Sequence, residues 1–198
     1  MVYRFSWLAG LAGLLFALFR LERLLHSSVE GLPWELVLAI AAILGGALTW
    51  AGLASRLSAP AVIAVNLVAM VLAVVRLAVP ATTWFVFPTT SSFRALGTEL
   101  DYAFDLIRTG VAPVLPIAGI IALLAVVFWV LGALLAAGLR GNRPYLAVVA
   151  PLVAYLQFAT MDRRRSSAWT AAFVVLLALA LLAVAADQRR RGTGLLTS

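Results

Sequence analysis

SSFRALGTELDYAFDLIRTGVAPVLP, residues 91–116, leads into an apolar run from Ile117 to Leu139 and then into RGNRP, residues 140–144. The first part is amphipathic at helical period. Phe93, Leu96, Leu100, Ala103, Phe104 and Ile107 share one side, and Arg94, Glu99, Asp101, Asp105 and Arg108 fall mostly on the other. The second part is too long and too apolar for the core of a water-soluble domain. The pattern predicts an interfacial helix over 91–108 that feeds, through Pro113 and Pro116, into a helix crossing the bilayer over 116–139.

The composition extends this reading to the whole chain. Hydrophobic residues make up 64% of the 198, charged residues 12%, and the mean hydropathy is +1.07. An ordinary globular domain carries about a quarter charged residues, so this is the composition of an integral membrane protein. A crossing needs about 20 residues, which gives an all-α, polytopic bundle of about six transmembrane helices plus the interfacial helix, as one domain over 1–198. All fifteen basic residues are arginine. With the abundance of Ala, Leu, Val and Gly, that suggests a high-GC bacterial genome and a bacterial cytoplasmic membrane. The net charge of +7 points to anionic lipid headgroups rather than nucleic acid, because the arginines sit beside apolar runs, where they hold helix ends at the surface. With no cysteine in the chain, disulfides, thiolate metal sites and a cysteine nucleophile are excluded within these residues.

Outward from the central stretch, the predicted spans are 5–25, 34–53, 60–79, 116–139, 144–160 and 169–186. The first has no small-x-small cleavage site after Phe19 and continues helically through LERLLHSS, so it reads as an uncleaved span. The second is bracketed by Trp34 and Trp50, and Gly45 and Gly46 in its middle allow a neighbouring backbone to come close. Pro60 suits the first turn of the third. Ser91 or Ser92 is the expected N-cap of the amphipathic helix. With six spans both termini share a side. The arginine bias leaves that side open, with seven arginines in one group of loops and ends and eight in the other.

Chemistry inside a membrane needs ionisable groups at depth, and no Asp or Glu lies near the centre of any run. The sole histidine, His26, sits beside Ser27 and Ser28, but adjacent positions make no triad and one histidine builds no zinc site. No catalytic residue, metal site or cofactor is expected. The candidate intramembrane polar residues are Asn66, Arg76 and Gln157. Asn66 and Gln157 are read as interhelical hydrogen-bonding groups, and Arg76 as a side chain reaching the headgroups. Glu99, Asp101 and Asp105, three of the eight acidic residues, form a candidate docking face on the amphipathic helix.

From Tyr102 to Tyr155 the sequence carries a family resemblance. The residues concerned are DLIRTGVAPVLP, Gly119 opening the long span, the GLRGNRP turn from Gly138 to Pro144, and LAVVAPLVAY before the fifth span. In these, and in the order of three spans, an interfacial helix and three more spans, the chain resembles the amino-terminal membrane region of bacterial transglutaminase-like proteins of the TgpA type, particularly the actinobacterial ones. The resemblance implies an anchor ahead of an extracytoplasmic transglutaminase-like domain in cis, whose Cys, His and Asp triad has no counterpart in this cysteine-free chain. The chain departs from the pattern at Asp162–Arg165, a basic cluster that faces outward if the amino terminus is cytoplasmic as in the family. The expected function is a non-catalytic membrane anchor and docking platform. The alternatives are a small transporter or channel subunit built on Asn66, Arg76 and Gln157, or a stand-alone scaffold of the cell envelope.

Overall fold

The structure, a computed structural model, describes residues 34–79, 83, 87–109 and 117–140, together with 152, 153, 155, 171, 172, 174, 175, 178, 179 and 182. The continuously described residues contain four helices: α1 (Trp34–Ala54), α2 (Ala59–Ala78), α3 (Thr90–Thr109) and α4 (Ala118–Arg140). Three of these, α1, α2 and α4, are long and apolar enough to cross a membrane, as expected of a multi-pass membrane protein. They correspond to the spans expected at 34–53, 60–79 and 116–139, with ends shifted by one or two residues. The spans expected at 5–25, 144–160 and 169–186 lie outside the continuously described residues, as do His26 and Gln157.

Each helix end has a local cause. α1 closes with a paired turn in which the Leu57 N–H donates to Gly52 O at 3.1 Å and the Arg56 N–H to Leu53 O at 3.4 Å. This is the Schellman arrangement, which needs a left-handed residue at the position occupied by Arg56 (φ 58°). Glycine usually fills that place. α2 begins after extended Ser58 with proline in its first turn, where the missing N–H costs no hydrogen bond. α3 is capped by Thr89, not by Ser91 or Ser92 as expected. The Ser92 N–H donates to Thr89 Oγ1 at 3.3 Å, and the Thr89 N–H donates to Ser92 Oγ at 3.1 Å. This reciprocal pair is a capping box with serine at the third helical position, so Ser92 lies inside the helix it was expected to open.

The bundle is assembled around α4. Gly45 of α1 meets Trp129, Gly46 meets Gly132, and the Arg140 guanidinium lies 5.2 Å from the centroid of the Trp50 ring. The contacts advance together along both sequences, so α1 and α4 run parallel. α2 runs the other way: Val62 meets Gly52, Asn66 meets Trp129, and Met70 and Val74 share a depression with Ala122 and Val126. The α1–α4 seam is the most extensive contact, and glycine explains it. A Cβ on Gly132 would run into the carbonyl oxygen of Ala42, and one on Gly45 into that of Trp129. Backbones this close gain dispersion contacts along the whole seam, which is how helices associate where the surrounding lipid is as apolar as the side chains. Leu38, Ala41, Ala125, Phe128 and Leu135 complete the core.

Candidate functional site

Two places hold residues singled out in the sequence. The first lies at mid-length on α4. Trp129 is equidistant from Ala118 and Arg140, the two ends of that helix, so a crossing by α4 would carry this residue at mid-depth. A donor left unpaired in hydrocarbon costs several kcal/mol. Asn66 on α2 removes that cost, accepting from Trp129 Nε1 at its Oδ1 over 3.2 Å while its Nδ2 donates to Val62 O at 3.0 Å. The two partners fix the orientation of the amide, since an indole can only donate and a carbonyl can only accept. Trp34 is a useful contrast: its Nε1 is buried at the start of α1 and has no hydrogen-bond partner among the described residues.

Around the Asn66–Trp129 pair, α1, α2 and α4 leave a groove of about 410 Å³, within the size range of small-molecule sites. Its walls are almost wholly aliphatic. Thr49 lines it too, but donates its only hydroxyl proton to Gly45 O at 2.8 Å. Among the described residues no ionisable side chain lines the groove, whose described walls can hold apolar matter and make a hydrogen bond. Arg76 is exposed in the last turn of α2, about 15 Å along the helix from Asn66 at 1.5 Å per residue. These two candidate polar residues therefore form no common site.

The second place is α3. Ala103 and Ser92 are fully buried, and a Cβ on Gly119 would meet the backbone carbonyl of Glu99. The middle of α3 is thus seated on the first turn of α4. Leu96 and Leu100 line the depression shared with Val74, Val75 and Ala122, which places α3 at the end of the bundle where α2 finishes and α4 starts. Two further faces stay open. Phe93, Phe104 and Ile107 form an exposed apolar strip, and Arg94, Thr98, Asp101, Asp105 and Arg108 form an exposed polar one. A helix with one face on protein, one apolar and one polar is suited to the boundary between lipid and water. The structure divides the acidic trio. Asp101 and Asp105 are together on the polar strip, whereas Glu99 is half-buried, with its backbone at the α4 contact.

Trp129 is the residue the sequence reading missed. The available signal was a hydrogen-bonding aromatic in the middle of an apolar run, where Trp34 and Trp50 had marked span ends. Among the described residues no group of His, Asp or Glu is assembled that could hold a metal ion. The chain matches no protein-family model, no curated protein and no solved structure.

Proposed function

We propose that the chain is a non-catalytic membrane anchor whose α3 helix serves as a docking platform at the bilayer surface. The observation that carries this reading is the seating of α3. One face is locked to α4 through Ala103 and Gly119, while Asp101 and Asp105 stay exposed beside an apolar strip. A helix held so firmly and left open on its charged side presents a fixed surface to whatever lies above the membrane. On this proposal the runs at 5–25, 144–160 and 169–186 complete six crossings. The resemblance to TgpA-type transglutaminase-like proteins rests on the motifs between Tyr102 and Tyr155 alone, and on this proposal the docked partner is an extracytoplasmic domain of that kind.

The double reversal Asp101→Arg and Asp105→Arg tests the platform. Both side chains are exposed, so the bundle should keep its unfolding midpoint, while recovery of cross-linked partner from intact membranes should fall about tenfold, equivalent to about 1.4 kcal/mol. Unchanged recovery with an unchanged midpoint would remove the docking role. The second reading, a small transporter subunit, is favoured by the groove beside Asn66. It is set behind the anchor because no charged group accompanies Asn66 in the groove among the described residues.

A further inference from the structure

The inventory of hydrogen bonds in the groove leaves one donor over. A side-chain amide carries two N–H donors. Asn66 gives one to Val62 O, and its oxygen takes the Trp129 N–H. Thr49 has spent its proton on Gly45 O, and Trp129 has spent its own on Asn66. Among the described residues, the second Nδ2–H of Asn66 is therefore the single uncommitted side-chain donor in a groove that is otherwise hydrocarbon. In water such a group would be hydrated. Between helices that cross a bilayer it needs an acceptor from another source.

Depth narrows what can supply that acceptor. Asn66 lies seven residues into α2, about 10 Å along the axis at 1.5 Å per residue. Exposed Arg56 and Ser58, just before that helix, mark its surface end. The ester oxygens of a phospholipid are tied to a charged headgroup and stay near that surface, so an ordinary boundary lipid would offer Asn66 only methylenes. An oxygen that reaches this level must belong to a molecule free to sink.

We propose that the groove between α1, α2 and α4 is a binding site for an uncharged membrane lipid that carries a hydroxyl or carbonyl oxygen without a charged headgroup, with Asn66 Nδ2–H as its hydrogen-bond donor. The aliphatic walls receive the hydrocarbon chain, and the indole of Trp129 forms part of the wall beside the polar group. This site is independent of the docking role of α3. Nothing in it depends on Asp101 or Asp105, and either proposal can fail alone.

The indole also supplies the readout. The full chain in phosphatidylcholine vesicles is titrated with stearyl alcohol dibrominated at mid-chain, a contact quencher of tryptophan, and separately with phosphatidylcholine carrying the same dibrominated chain. The expected result is a saturable quenching component with the alcohol, displaced by unbrominated alcohol, and only proportional quenching with the phospholipid. Ala133→Phe fills the groove from α4 without touching the Asn66 hydrogen bonds and should abolish the saturable component. Asn66→Leu should weaken it about fivefold, the worth of one neutral hydrogen bond. Saturable quenching of equal strength with both probes would assign the groove to ordinary acyl chains and overturn the proposal. So would proportional quenching by the alcohol, or a saturable component indifferent to Ala133→Phe.

Discussion

α1 and α2 both lean on α4, and they do so by opposite means. Along α1 the contact is backbone against backbone: Gly45 and Gly132 lie where no side chain fits, and the carbonyls of Trp129 and Ala42 occupy the space a methyl group would need. Along α2 the contact is side chain against side chain, with one hydrogen bond from Trp129 to Asn66 and a groove of about 410 Å³ left beside it. The first seam has no slack, because two helices cannot separate at one glycine without lifting along their length. The second can adjust rotamer by rotamer. The molecule therefore combines a rigid parallel pair with a third helix free to accommodate material at its border, and α2 accordingly exposes Ile63, Leu67 and Val68.

The sharpest way to break this contrast is Gly132→Ala. The added methyl meets the Ala42 carbonyl, which has no rotamer to yield, and the loss should be about 3 kcal/mol. Reversible unfolding in mixed micelles measures it, and a loss under about 1 kcal/mol would mean that the seam is softer than its geometry. Next in size is Asn66→Leu, which leaves the Trp129 N–H unpaired at mid-span and should cost about 2 kcal/mol. A double-mutant cycle with Trp129→Phe should return a coupling of about 1 kcal/mol. Zero coupling would show that the pair is in contact without contributing. The smallest effect belongs to the turn joining α1 and α2. Arg56 holds a left-handed conformation that favours glycine, so Arg56→Gly should raise stability by about 0.5 kcal/mol, seen as a slightly higher midpoint in the same assay. A decrease would mean that the charge of this arginine at the membrane surface outweighs its backbone strain.

The sequence revealed lengths and edges better than partnerships. The span expected at 34–53 ends within one residue of the observed helix because apolar run length sets it, and Pro60 marks the start of α2 because a proline N–H has nowhere to be missed but a first turn. Gly45 and Gly46 were readable as points of close approach, yet nothing in the run said that the approaching chain would be Trp129 and Gly132. Small residues mark a contact without encoding its address. The structure shows Asn66 in an interhelical hydrogen bond, while its partner lies in a helix whose sequence is apolar up to Arg140. The cap of α3 was misplaced because Thr89, Thr90, Ser91 and Ser92 offer four hydroxyls in succession, and only the reciprocal bonds between Thr89 and Ser92 select among them. On the acidic face, periodicity placed Asp101 and Asp105 on open surface. It could not show that Glu99 stands over Gly119, because that contact involves a carbonyl and not a side chain.

The hydrogen bond between Asn66 and Trp129 joins residues separated by 63 positions, and a ribosome makes the acceptor first. By the time the indole of Trp129 leaves the exit tunnel, α1 and α2 have long been available to the membrane. The most costly donor of α4 thus enters a bilayer where its acceptor has already been delivered. The glycine-lined surface of α1 precedes it too. Biosynthesis in this order spares α4 any interval in which its central N–H must face lipid without a counterpart, and makes its insertion the event that brings α1, α2 and α4 together.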